Sequence, residues 1–339
     1  MLIHHSIAHC LVVGVSLASL LIAHDAQSAP GPNIYAKAYV VLDNQTGRIL
    51  RSKNANLRLP MASTTKIMTA LMVIEALDAG IVQPSDLVSV NTKNTGRSDA
   101  RIFGTGQHVS VQTLLDALMI KSSNEAALSL GIHLARIWRG DHSLHPPQKN
   151  DHGYFAKWMT KRAKLLNLKN THFVNAHGRD PEDVTRHRKR KTRRCTGNQF
   201  KKKACQHFST AHDLARLTRY ALKNPRFRAL VSQRSFTVKR GKKVSRYENT
   251  NQLLGETIRG WSVYGVKTGT TNRAGHCLVS AAKKGQRDVT IVVLRSTIQG
   301  QKKNGDYYWD SDTRDVRVGG ATLSNGQRFN DTKKLLKSI

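Results

Sequence analysis

A serine and a lysine three residues apart, Ser63 and Lys66, stand where Pro60-Met61-Ala62 gives way to a long apolar run. Apolar residues at Ile67, Met68, Leu71, Val73, Ile74 and Leu77 predict a mostly buried helix, with the proline setting an extended approach. On such a helix the hydroxyl and the amine share a face, roughly 5–6 Å apart at Cβ. If burial keeps the amine neutral, the pair is a nucleophile beside its base. The same two residues also read as an N-cap serine and a solvated lysine. Ser280-Ala281-Ala282-Lys283 repeats the spacing, so spacing does not decide. What decides is the company: Ser122-Ser123-Asn124 and then Lys267-Thr268-Gly269, in that order. Two ammonium groups converging in one cleft, Lys66 and Lys267, would depress the pKa of the more buried one towards use as a base.

Serine-x-x-lysine, serine-x-asparagine and lysine-threonine-glycine in this order resemble the motif set of the penicillin-recognising serine enzymes. The run YGVKTGTTNRAGHCLVSAA from Tyr264 carries most of the specificity. Within that group the chain looks like the low-molecular-mass D-alanyl-D-alanine carboxypeptidases and their endopeptidase relatives. Other matching stretches are Ala38–Asp43 with Thr46-Gly47, Thr171–Gly178, Ser209–Leu217 and, more loosely, Arg328–Leu336. The resemblance implies an α+β protein with the penicillin-binding/β-lactamase-like transpeptidase fold, an antiparallel sheet flanked by helices plus a helical subdomain. It implies that Ser63 attacks the peptide carbonyl of a D-alanyl-D-alanine unit and that Lys66 takes its proton. Ser122 would relay a proton to the leaving amine, and Asn124 would hold the substrate amide. Lys267, Thr268 and, more weakly, Arg295 would hold the terminal carboxylate. Gly269 would let the backbone approach closely, and the N–H groups of Ser63 and Thr270 would form the oxyanion hole. Peptidoglycan stem peptides are the implied substrates and β-lactams the implied covalent inhibitors.

Three other functions compete with this one. A class A β-lactamase needs a glutamate-held deacylating water, and no E-x-x-L-N segment lies between the second and third motifs. A D,D-endopeptidase would use the same residues; Asn249-Thr250-Asn251 and the run Thr271–Leu278 point that way. A non-enzymatic polyanion-binding wall protein would make the charge the function, but every motif residue is intact.

The charge is unusual: 55 Lys+Arg against 22 Asp+Glu in 339 residues, a net charge of +33. Such a field attracts polyanions and anionic membrane surfaces and says nothing about fold. Much of it sits in one block, where Arg186, Arg188–Lys191, Arg193, Arg194 and Lys201–Lys203 give ten cations, with no acid between Val184 and Gln206. This insertion, about 183–207, reads as solvated loop. Its segment 186–203 is expected to hold the protein on an anionic wall or membrane surface, with no physiological nucleic-acid partner. Residues 1–28 read as a secretory signal with an apolar run Leu11–Ala23, predicting a periplasmic or cell-envelope protein. Cys195 and Cys205 could pair in an oxidising compartment, whereas Cys277 reads as a buried thiol. No metal or cofactor site is read.

The elements that must position these residues follow from periodicity. Ala38–Leu42 and Arg48–Ser52 read as a hairpin around Asp43–Gly47. Ser110 reads as the N-cap of a helix that breaks at Ser122–Asn124, with a second apolar helix running to about Ile137. Tyr154–Leu166 and Ser209–Leu222 read as helices, the latter stopping before Pro225. Phe236–Val238 and Val244–Tyr247 read as a hairpin. Val263–Lys267, Cys277–Ala282 and Val289–Leu294 read as adjacent antiparallel strands. A serine-peptidase domain is expected over 29–300, with 301–339 as a polar tail carrying a short helix at Thr332–Ile339 and no second β domain.

Overall fold

Strands that are apolar on both faces need cover on both sides, and the three strands expected from Val263 onward are of this kind. The structure is a computed structural model describing residues 32–93, 95, 101–140, 151–180, 207–271, 273–296, 308–309, 316–318, 321–323 and 326–339. The chain opens with β1 (Ala36–Asp43) and β2 (Ile49–Lys53). A 3₁₀ turn, Ala62–Thr65, then runs directly into α1 (Lys66–Asp78). β3 (Leu87–Ser89) and β4 (His108–Ser110) pair, and α2 (Val111–Asp116) passes into a π turn, Ala117–Lys121. α3 (Asn124–Ile137) and α4 (Asp151–Leu165) follow. Next come α5 (Ala211–Ala221), α6 (Pro225–Ser232), the hairpin β5 (Ser235–Arg240) and β6 (Lys243–Glu248), and β7 (Thr257–Ile258). β8 (Trp261–Thr271), β9 (Gly275–Lys284) and β10 (Arg287–Ser296) complete the main sheet. The short strands β11–β13 (Tyr308–Trp309, Val316–Val318, Ala321–Leu323) and α7 (Gln327–Lys337) end the chain.

The main sheet has six strands in the order β2-β1-β10-β9-β8-β7, and its pairings are antiparallel. Alternate residues feed two cores. Val40, Leu42, Val279, Ala281, Val292 and Leu294 pack with Ile67, Met68, Leu71 and Ile74 of α1. Val41, Leu278, Val289, Ile291 and Val293 pack on the other face with Phe329, Leu335 and Leu336 of α7. Each such side chain contributes about 1.5–3 kcal/mol when fully buried, so α7 is an integral layer. The boundary expected near residue 300 therefore does not separate this helix, because Pro32–Ile339 forms one compact unit. The helix also begins at Gln327, earlier than Thr332, since Arg328 and Phe329 are buried against the sheet.

Ser110 caps α2 by accepting from Thr113 N–H. Pro225 does more than stop α5. Asn224 caps a new helix at that point, accepting from the N–H groups of Arg226 and Phe227, and proline at the first helical position costs no hydrogen bond. No described helix is long and apolar enough to cross a membrane. The expected signal 1–28, the basic segment 186–203 and the Cys195–Cys205 pair lie outside the described residues.

Candidate active site

α1 carries apolar side chains nearly all round and is buried along almost its whole length. A lysine on its first turn is therefore held out of bulk water. Lys66 is fully buried, and its Nζ lies 3.0 Å from Ser63 Oγ, 2.8 Å from Asn124 Oδ1 and 2.7 Å from the His177 carbonyl oxygen. Two of these partners can only accept, while the serine hydroxyl can accept or donate. A neutral amine has two N–H donors and one lone pair, which matches a carbonyl, an amide oxygen and a hydroxyl proton. Burial, then the charge of Lys267, pushes the Lys66 pKa well below the usual lysine range; Arg179 adds to this and buried Glu125 opposes it. The arrangement can remove a proton from Ser63.

Asn124 is placed by the break between two buried helices. The π turn ends at Ser122, whose φ of +67° is left-handed. For a non-glycine residue such a conformation costs on the order of 1–3 kcal/mol and gathers at functional sites. The capping of α3 falls to Ser123, which accepts from Ala126 N–H. Ser122 is thus free of that duty, and Asn124 follows as the first residue of α3 with its side chain turned to Lys66. Glu125 accepts from the N–H groups of Ile102 and Phe103, which ties the preceding loop to this helix start.

β8 supplies the opposite wall. Lys267 is buried and donates to the Thr268 carbonyl at 3.1 Å. Burial, with Arg328 beside it, pushes its pKa down to about 7. Thr268 Oγ1 pairs with Thr250 Oγ1 at 2.7 Å, and Thr250 N–H donates to Ile120 of the π turn. Gly269 is the point of closest approach: a Cβ there would sit 3.0 Å from Ser63 N and 3.1 Å from the Met61 carbonyl oxygen. Only glycine lets the strand run that near to the 3₁₀ turn.

Sequence reasoning named Arg295, whose guanidinium donates to the Arg273 carbonyl at 3.1 Å. A guanidinium that sequence reasoning did not name, that of Arg328 on α7, also reaches the Lys267–Thr270 segment. It donates to the Gly269 carbonyl at 3.2 Å and to Thr270 Oγ1 at 2.9 Å. The loose match at Arg328–Leu336 was the signal that could have found it. His177, left out of the expected catalytic set, contributes through its carbonyl. The lookalike pair Ser280 and Lys283 falls on β9, where residues three apart face opposite ways; Ser280 is buried and Lys283 exposed.

The fold is that of the penicillin-binding proteins. Penicillin-binding protein D2 of Listeria monocytogenes, solved in an ampicillin-bound form, superposes with a TM-score of 0.64 at 25% identity, over 91% of this chain and 99% of its own. The pattern of the D-alanyl-D-alanine carboxypeptidases matches residues 24–297, and the chain belongs to that family. D-alanyl-D-alanine carboxypeptidase DacF of Bacillus subtilis is 31% identical over 77% of this chain and 58% of its own length. A D-alanyl-D-alanine endopeptidase of Pseudomonas aeruginosa is 28% identical over 81% of this chain and 79% of its own. The chain spans less than three fifths of the length of DacF and 59% of that of the Escherichia coli carboxypeptidase DacD.

Proposed function

We propose that this protein is a serine-type D-alanyl-D-alanine carboxypeptidase acting on peptidoglycan stem peptides. The observation that carries the reading is the fully buried Lys66 amine, 3.0 Å from Ser63 Oγ and with its pKa pushed down by burial. In the first step the Ser63 hydroxyl gives its proton to neutral Lys66, and Oγ bonds to the carbonyl carbon of the penultimate D-alanine. The developing oxyanion is taken by the N–H groups of Ser63 and Thr270. Collapse breaks the C–N bond to the terminal D-alanine, whose amine receives a proton through Lys66 and Ser122. Water then attacks the acyl-serine ester, its proton goes to Lys66, and Ser63 is released. Asn124 holds the substrate amide. Arg328 supplies positive charge for the terminal carboxylate, and Lys267, whose pKa an incoming carboxylate would raise again, donates to it, with Thr268 and Thr270 as hydrogen-bonding partners. β-Lactams enter the same chemistry, and their ring-opened acyl-enzyme on Ser63 would persist.

The test is acylation of the purified protein by a labelled penicillin. Ser63→Ala should abolish labelling and Ser280→Ala should not; label that survives Ser63→Ala would sink the assignment. A second reading, cross-bridge endopeptidase, draws support from the Pseudomonas aeruginosa relative and from Thr250 bonding to Thr268 in the β8 wall. Digestion of purified muropeptides separates the two, by free D-alanine in one case and severed cross-links in the other. Either substrate places the working enzyme outside the cytoplasm. Cell fractionation that finds it wholly cytoplasmic would count against both.

A further inference from the structure

His207 is buried behind the 3₁₀ turn that carries Ser63, and its hydrogen bonds form a chain. The Val174 N–H donates to Nδ1 at 3.1 Å, Nε2 lies 2.8 Å from Thr65 Oγ1, and the Thr65 hydroxyl donates to the Ala62 carbonyl at 2.7 Å. Only one placement of protons satisfies all three contacts. A backbone N–H can only donate, so Nδ1 is the bare nitrogen. A carbonyl can only accept, so the single Thr65 proton goes to Ala62 and Thr65 must accept from Nε2–H. Both ends give the same neutral tautomer, and burial holds the imidazole neutral by pushing its pKa down to about 3.

The carbonyl at the end of this chain belongs to the Ala62–Ser63 peptide. That unit is planar, so fixing the Ala62 oxygen on one side fixes the Ser63 N–H on the other. The orientation is not one the backbone would hold unaided. Ala62 has φ +48°, and the left-handed region costs an L-residue about 1–2 kcal/mol. Gly178 closes the packing from outside: a Cβ there would meet the Ala62 oxygen at 2.0 Å and Thr65 Oγ1 at 2.8 Å.

We propose that His207 and Thr65 are positioning residues that aim the Ser63 N–H at the oxyanion, an inference resting on the acyl-transfer reading above. A carbonyl that accepts a hydrogen bond also polarises its own peptide, which strengthens the N–H as a donor. The relay acts on charge that develops in the transition state, so it should change the rate of acylation and leave substrate affinity alone.

The experiment is stopped-flow acylation of the full chain by a fluorescent penicillin, with His207→Ala, Thr65→Val, the double variant and Thr65→Ser. Complete loss of an oxyanion donor costs about 10²–10³-fold, so a misaimed one should slow the limiting acylation rate by about tenfold or more. The penicillin concentration giving half-maximal rate should stay within about twofold. The double variant should be no slower than the slower single, because both substitutions break one chain. Thr65→Ser, which keeps the hydroxyl, should retain the wild-type rate. Thr65→Val is nearly isosteric and decides the matter even where His207→Ala does not fold. A wild-type rate in folded Thr65→Val, additive losses in the double variant, or a slow Thr65→Ser would each overturn the relay. A wild-type protein that takes no label would overturn the function proposed above and this inference with it; a labelled wild type with unaltered variants overturns the relay alone.

Discussion

Replacing Lys267 with methionine tests how far the fold has strained its own cleft. Lys267 is fully buried in β8, with a pKa pushed from 10.5 to about 7 by burial and by Arg328. Between pH 7 and 10.5 the unfolded chain holds this proton while the folded chain has released it, so stability must rise with pH across that window. The whole displacement corresponds to about 5 kcal/mol at about 1.4 kcal/mol per pH unit. Raising the pH from 7 to 9.5 recovers about 3 kcal/mol of it from this one group. Methionine keeps the length of the side chain and has nothing to titrate. Urea unfolding of the wild type and of Lys267→Met at pH 7 and 9.5 gives two pH increments, and their difference isolates Lys267 from the exposed lysines. The Lys66 pKa is lowered as well, by burial and by the charge of Lys267, so Lys66→Met is measured in parallel. The expected difference is about 3 kcal/mol, with the variant the flatter of the two. A difference below about 1 kcal/mol would mean that Lys267 keeps its proton in the folded cleft at neutral pH, and the electrostatic account of β8 would be wrong.

Lys66→Arg should lose acylation although the charge is kept, because arginine does not give up its proton in a protein; a comparable rate would send the proton elsewhere. Gly178→Ala should destabilise by at least about 2–3 kcal/mol, read from the urea midpoint, since φ is +86° and the methyl would strike the Ala62 oxygen; a near-native midpoint would refute that packing. Arg328→Ala should raise the KM for a carboxylate-bearing peptide by about 10–100-fold, the size of a charged hydrogen bond, and by more than Arg295→Ala does; the reverse order would make Arg295 the main carboxylate-binding guanidinium. Removing Thr185–Lys203 should leave the acylation rate intact and weaken sedimentation with wall fragments, mainly at low salt, because screening acts within about 10 Å at 0.1 M. Equal binding with and without the segment would retire its anchoring role.

The sequence alone carried whatever is local. Serine three residues before lysine at the head of an apolar run gave the shared face, and the fully buried α1 follows from that run. The apolar runs from Val263 onward implied three neighbouring antiparallel strands, which are β8, β9 and β10. The motif order gave the family. Tertiary structure decided what depends on desolvation or on backbone atoms. Spacing cannot separate Ser63–Lys66 from Ser280–Lys283; the secondary structure each occupies does, since a helix brings residues three apart together and a strand turns them to opposite faces. The His177 carbonyl that binds Lys66 is a main-chain oxygen and leaves no mark in residue types. Arg328 lies far along the chain, and its place beside Gly269 exists only because Phe329, Leu335 and Leu336 dock α7 on the second face of the sheet. The depressed pKa of Lys66 has the same origin: three distant segments, at Asn124, His177 and Lys267, close over an amine that by itself would stay charged in water.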